Sequence, residues 1–129
     1  MADNIDFMLE ELNKELKQFI ADSKDNAIGN RRWIDTKLAK IYIRKGVHYI
    51  DGDARICLDI ASVEVSKKFR KNGYFNKILE SFNRINPWEY TLIENVMEQW
   101  FADSIKNKGY SELKEYGCER LPVTLYKKK

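Results

Sequence analysis

Val63-Glu64-Val65-Ser66-Lys67-Lys68-Phe69-Arg70-Lys71-Asn72-Gly73-Tyr74-Phe75 is the stretch on which the reading of this chain turns. Its first residues alternate apolar and polar, as a strand does when one face is buried. A run of cations follows. Gly73 then opens a segment of helical spacing, with Phe75, Ile78, Leu79, Phe82 and Ile85 on one stripe. A strand feeding a basic loop and then a helix start is the outline of a phosphate-binding site. The first turn of a helix carries N–H groups with no intrahelical partner, and the helix dipole makes that end positive. Glycine there permits an unusual backbone angle and a close ligand approach. Lys67, Lys68, Arg70 and Lys71 add positive charge beside it. A solvated basic face before a helix gives the same pattern, and the loop alone leaves both readings open.

Upstream, Ile5, Met8, Leu9, Leu12, Leu16, Phe19 and Ile20 recur at helical spacing and predict an amphipathic helix of about five turns. Asp25, Asn26, Gly29 and Asn30 break it into a loop. From Thr36 the pattern is β-branched and aromatic: Ile41, Tyr42 and Ile43, then Val47, Tyr49 and Ile50, then Ala54 to Val65. These predict an antiparallel meander with hairpin turns near Gly46 and Gly52. Within the third run, Ile56, Leu58 and Ile60 share one parity, and Val63 and Val65 the other. Either a β-bulge near Ala61 or Ser62 restores the face, or the strand is buried on both sides. Downstream, Asn86-Pro87 stops the helix. Trp88 to Glu94 reads as a strand, Val96 to Lys108 as a helix capped by Gly109, and Leu121 to Tyr126 as a last strand. Helix, three strands, helix, strand, helix and strand predict an α/β (α+β) domain with a mixed, mostly antiparallel central sheet flanked by helices.

The chain has 129 residues, which suits one domain over 1–129, with an N-terminal helix at 1–24, a core at 36–110 and a C-terminal strand and basic tail at 111–129. Lys+Arg 23 against Asp+Glu 20 leaves a net charge of +3, too even a balance to predict a nucleic-acid partner by itself. Lys127, Lys128 and Lys129 read as a solvated end. Cys57 and Cys118 are the two cysteines, and no stretch approaches the roughly 20 apolar residues that span a membrane. The expectation is a reduced, cytoplasmic protein.

The basic loop resembles motif A of the GNAT N-acetyltransferase superfamily: Arg or Gln, two residues, Gly, one residue, then Gly or Ala. Arg70, Gly73 and Phe75 fall on these positions, and Val65 falls on the apolar strand residue five before the Arg. Phe75 departs from the pattern; its bulk keeps the N–H donor but would narrow the space for a pyrophosphate. Helix 74–85, strand 88–94, helix 96–108 and the pair Gly109-Tyr110 follow in the family's order. Ile93-Glu94-Asn95-Val96 is similar to a phrase in small GNAT-like proteins, including phage ones, so the resemblance, over residues 36–110, implies a small phage- or bacterial-type member. It implies acetyl-CoA as co-substrate and an amine as acceptor. It also implies main-chain pairing of the pantetheine arm at Val63 and Val65, with Arg70, Lys71, Asn72, Gly73, Tyr74 and Phe75 around the pyrophosphate.

Acetyl transfer to an amine needs a group that takes the amine proton. The resemblance puts this base on the motif strand, where Asp59 stands six residues before Val65; Glu94 is the second candidate and Glu64 a third. Asp59 reads equally well as an outward-facing strand residue, and Glu94 as a helix-start acid. The family's acid Tyr would fall on Ile105 and its Asn on Glu98; Tyr74, Tyr90 and Tyr110 remain as substitutes. His48, the single histidine, is given no role, and no ligand spacing predicts a metal. Two rival readings stand beside this one. The first is a catalytically silent GNAT-fold interaction protein, suggested by Phe75 and Ile105. The second is single-strand nucleic-acid binding through Lys67, Lys68, Arg70 and Lys71, with Phe69 and Tyr74 as stacking groups.

Overall fold

Asn4 caps the first helix: its Oδ1 accepts from the N–H groups of Asp6 (3.0 Å) and Phe7 (3.3 Å). In the computed structural model, which describes residues 4–24, 30–70, 72–96, 98–113 and 122–129, this helix, α1, spans Ile5–Asp22. It buries Met8, Leu12, Leu16 and Phe19, as the helical period predicts. Strands β1 (Arg31–Asp35), β2 (Ala39–Ile50) and β3 (Asp53–Val65) follow, then a 3-10 turn at Lys67–Phe69 and helix α2 (Tyr74–Ile85). Strand β4 (Tyr90–Val96), helix α3 (Gln99–Lys106), β5 (Ser111–Leu113) and β6 (Val123–Lys128) complete it. The sheet order is β1-β2-β3-β4-β6-β5, and only the β3–β4 pair is parallel. The architecture is the mixed, mostly antiparallel sheet with helices that the sequence implies.

The hairpin at Gly52 is present. Asp51 (φ 54°) and Gly52 (φ 84°) form a two-residue turn of left-handed residues, which matches the twist of the strands it joins. The turn expected near Gly46 is absent: β2 runs straight through Gly46, which pairs with Cys57. Strand β1 lies between the expected loop at Asn30 and the pattern that begins at Thr36, where the sequence predicts no element. It is short and polar, and Ile34 is its one buried residue. Strand β4 begins two residues later than expected and runs on to Val96, so α3 starts only at Gln99.

The phase slip in β3 has both expected causes. Residues Cys57 to Ile60 are all buried, one pair on each face. Beyond them, Tyr42 pairs with Ser62 and Ile43 with Ile60, which leaves Ala61 as an extra residue, a β-bulge. Strands β3 and β4 pair only from Cys57↔Tyr90 to Ile60↔Ile93. They then part: β3 continues to Val65 along β2, and β4 to Val96 along β6.

One core joins α1, α2 and α3 to one sheet face, through residues such as Phe19, Ile41, Ile60, Phe82 and Ile105. A smaller cluster of Ile50, Cys57, Tyr90 and Leu92 forms separately. Cys57 is a buried thiol; burial first, and the charge of Asp59 second, push its pKa up to about 12. Cys118 lies outside the described residues. The C-terminal lysines are not a loose end. Lys127 and Lys128 belong to β6, Lys127 Nζ donates to Lys108 O at 2.9 Å, and Lys129 Nζ donates to the carbonyls of Arg84 and Asn86. Among the described residues no helix is long and apolar enough to cross a membrane.

Asn86 ties α2 to β4. It is fully buried; its Nδ2 donates to Tyr90 O (2.8 Å) and Thr91 Oγ1 (2.9 Å), and its Oδ1 accepts from Trp88 N (2.8 Å). Asn86→Ala strips partners from these groups at once. Since one unsatisfied buried group costs about 1–3 kcal/mol, urea unfolding of this variant is expected to show a loss of at least about 2 kcal/mol.

Candidate active site

The parting of β3 and β4 opens a groove between them. One cavity of ≈ 290 Å³ lies in the wedge and is lined by Ile60, Ala61, Ile93, Glu94 and Asn95 among others. A second, of ≈ 430 Å³, is lined by Val65, Arg70, Gly73, Tyr74 and Trp100 among others. The two share Val63, Phe75 and Phe101, so they adjoin, one reaching Glu94 and the other the start of α2.

Gly73 caps α2 with φ 73°, and a Cβ built there would meet nothing within 4 Å. The glycine is therefore required by the backbone angle and not by crowding. Among the described residues no side chain caps α2, and no acidic residue sits in its first turn. The amides at the start of the helix thus keep their capacity for an anion. Arg70 turns back to the strand: Nε donates to Val65 O at 2.8 Å, and Nη2 lies 3.6 Å from Glu64 Oε1. Glu64 is thereby tied to the loop. Asn72 Nδ2 donates to Arg70 O at 3.0 Å. Lys71 lies outside the described residues. Phe75 meets Phe101 edge to face (centroids 4.7 Å) and forms the wall common to both cavities, leaving the space beside Gly73 open. Phe69 is only 7% exposed, so it cannot act as the stacking platform of the nucleic-acid reading.

Asp59 and Glu94, chosen separately on the sequence, meet in space. Cross-strand partners share a face, so Arg44 and Asp59 project together, with Gly46 and His48 on the same side of β2. Asp59 is 2% exposed; its Oδ2 lies 2.9 Å from His48 Nε2 and 4.0 Å from Arg44 Nε. Arg44 Nη2 donates to Glu94 Oε2, and Glu94 Oε1 lies 3.8 Å from His48 Nε2. Burial raises the Glu94 carboxyl above its ordinary 4.5, and the Asp59 charge adds to this, while Arg44 opposes it. Gly46 makes the cluster possible: a Cβ there would lie 2.2 Å from Asp59 Oδ2. Imidazole and both carboxylates offer ligating atoms within 4.8 Å of one another, a spacing a divalent cation could span. Arg44 already brings positive charge to both carboxylates.

His48, Arg44 and Gly46 are the residues that sequence reasoning missed. Counting back from the turn at Asp51-Gly52 would have placed Arg44 opposite Asp59, but reading Gly46 as a turn cut the strand first. Of the substitutes for the family's acid, Tyr74 lines the groove near Gly73, and Tyr90 stacks edge-on against Tyr126 (5.8 Å). Tyr110 is 5% exposed beside Lys108 and Lys127, and burial raises its pKa. Ile105 is a fully buried core residue, and Glu98 precedes α3 at the wedge.

A mixed sheet whose central parallel pair parts in front of a helix N-terminus is the fold of the GNAT acyltransferases, and solved structures share it. A mutant of the toxin AtaT, bound to the C-terminus of the antitoxin AtaR and acetyl-CoA, matches at TM-score 0.52 and 8% identity over 70% of this chain, which spans 58% of that one. The KacTA–DNA complex matches at 0.55 and 14% identity over 92% of this chain and 79% of that one. A candidate acetyltransferase from Agrobacterium tumefaciens matches at 0.50 and 15% identity over 100% and 95%. No protein-family model matches the sequence, and no curated protein is similar to it.

Two outcomes follow from the cluster. Gly46→Ala must displace the Asp59 carboxylate, and overpacking of this kind costs about 1–3 kcal/mol; Val47→Ala, at the exposed neighbouring position, is expected to stay within about 0.5 kcal/mol in the same denaturation assay. Glu94, raised in the folded state, binds more protons folded than unfolded above pH 4.5. Its contribution is fully present below 4.5 and is lost as pH rises through the folded pKa. Against Glu94→Gln, the wild type is therefore expected to lose stability over that window, as measured by melts at stepped pH.

Proposed function

We propose that the protein is an acetyl-CoA-dependent N-acetyltransferase acting on an amine. The observation that carries this reading is the pair of adjoining cavities that share Val63, Phe75 and Phe101, one reaching Glu94 in the wedge between β3 and β4 and the other the start of α2 at Gly73. A long, bent substrate with an apolar arm and a diphosphate matches that arrangement. The amides at the start of α2 would hold the diphosphate, with Arg70, Lys71, Asn72, Tyr74 and Phe75 around it. Val63 and Val65 would flank the arm. These contacts rest on backbone atoms and helix polarity, so they tolerate Phe75 where the resemblance favours Gly or Ala.

At the other end of the groove, the Asp59–Glu94 pair supplies the base. A neutral amine nitrogen attacks the thioester carbonyl, the C–N bond forms, the C–S bond breaks, and the nitrogen gives up one proton. Glu94 lines the wedge and is within the same cluster as Asp59, so the proton has a carboxylate to receive it at the mouth of the groove. The acetyl-CoA in the AtaT structure supports this co-substrate by likeness of fold.

Isothermal titration with acetyl-CoA is expected to give saturable binding with one site, and thiol release is expected with a suitable primary amine. Gly73→Val places a β-branched residue at φ 73° and turns the first amides of α2, so acetyl-CoA affinity should fall about tenfold or more, equal to about 1.4 kcal/mol. Absence of heat and of any thermal shift with acetyl-CoA would sink the proposal.

A further inference from the structure

We infer that His48 decides which of the two clustered carboxylates, buried Asp59 or half-buried Glu94, acts as the base, an inference that rests on the acyltransfer reading. His48 Nε2 stands 2.9 Å from Asp59 Oδ2 and 3.8 Å from Glu94 Oε1. A hydrogen-bond distance to a carboxylate oxygen calls for a proton on Nε2, because a lone pair facing an anion is repulsive. The imidazole therefore donates Nε2–H to Asp59 Oδ2. Burial first, and the Asp59 charge second, raise the proton affinity of Glu94, the carboxylate that lines the wedge, while Arg44 opposes them. Asp59 does not line the wedge cavity. The arrangement divides the work: Glu94 takes the amine proton as the C–N bond forms, Asp59 stays charged, and His48 is a positioning residue. The proton leaving nitrogen is the one the sulfur finally carries, so the exchange balances without another reactant.

The charged groups facing His48 fit this assignment. On its own strand, Arg44 binds Glu94 and lies 4.0 Å from Asp59. On β3, Arg55 is its cross-strand partner but is held by Asp53 (3.2 Å) and Glu89 (3.5 Å); Cys57, next on that face, is a thiol of raised pKa and stays neutral. On β4, Glu94 is the facing group. With both carboxylates ionised, Arg44 charged and imidazole neutral, the cluster carries one net negative charge and can accept one proton to become neutral.

The chain has a single histidine, so one imidazole signal reports the site directly. Ring ¹⁵N spectra are expected to show the Nε2–H tautomer above the titration midpoint. The midpoint should fall by about one unit or more in Asp59→Asn, and by less in Glu94→Gln, as neutral amides replace anions. In kinetics with acetyl-CoA and the best primary amine of a panel, His48→Ala should lower kcat/KM by about 10- to 100-fold, part of the roughly 10²–10⁴ that a positioned base contributes. Its acid limb should move to higher pH, because the doubly ionised pair loses a donor. His48→Gln, which keeps an N–H, should recover most of the rate. An Nδ1–H tautomer, a midpoint indifferent to Asp59→Asn, or equal rates in wild type and His48→Ala would overturn the inference. The spectra decide the imidazole's role even if no amine is acetylated, an outcome that would remove the acyltransfer reading instead.

Discussion

The rest of the molecule depends on the end of one ladder. Strands β3 and β4 share parallel pairing over four residue pairs and then stop at Ile60↔Ile93. Each strand carries an irregularity at that level. Ala61 is the extra residue on β3, and on β4 the register with β6 shifts between Ile93 and Val96, where Asn95 takes φ 55°. A bulge bends its strand and increases local twist, so the two strands turn away from each other while each stays paired on its outer side. Unpaired backbone in a sheet interior is costly unless water or a ligand meets it. Outer pairing to β2 and β6, and the shared helical core, hold the wedge open against closure.

Glu94 links the two halves of the site. It is the last regular residue before Asn95, so its backbone belongs to the parting strand and its side chain to the charged cluster. Placing a half-buried carboxylate beside a buried one is unfavourable unless opposite charge and hydrogen bonds attend them. Arg44 and His48 provide both, and Gly46 between them provides the room. Mid-strand glycine weakens a sheet and is kept where something else needs its space; here that is a carboxylate from the neighbouring strand. Buried charges on neighbouring strands make the protonation of one depend on the others.

How far this was legible in the sequence differs from residue to residue. The α1 and α2 stripes, the turn at Asp51-Gly52 and the bulge near Ala61 are local patterns, and the structure reproduces them. Asp59 and Glu94 were nominated through a resemblance, and their contact with each other is a tertiary fact that no spacing states. Gly46 misled because a glycine between apolar runs signals a turn in most settings, whereas its cause here lies on another strand. The same error hid His48, since only an unbroken β2 shares a register with β3. Strand β1 went unseen because one buried residue in five gives no alternation to detect. The last lysines were read as solvent-borne by composition, yet carbonyls of Arg84, Asn86 and Lys108 receive their ammonium groups.

The two ends of the groove are encoded differently, and the likeness in fold at TM-scores of 0.50–0.55 comes with only 8–15% identity. At the α2 end, the elements are amides and a helix dipole, which persist under almost any side chains so long as Gly73 keeps its angle. At the β2–β3–β4 end, the elements are side chains, each demanding its neighbours: Asp59 needs Gly46 for space and His48 for a proton donor, and Glu94 needs Arg44 for charge. A shared shape does not carry shared chemistry, so the chemistry has to be argued from Arg44, His48, Asp59 and Glu94 as they stand in this chain.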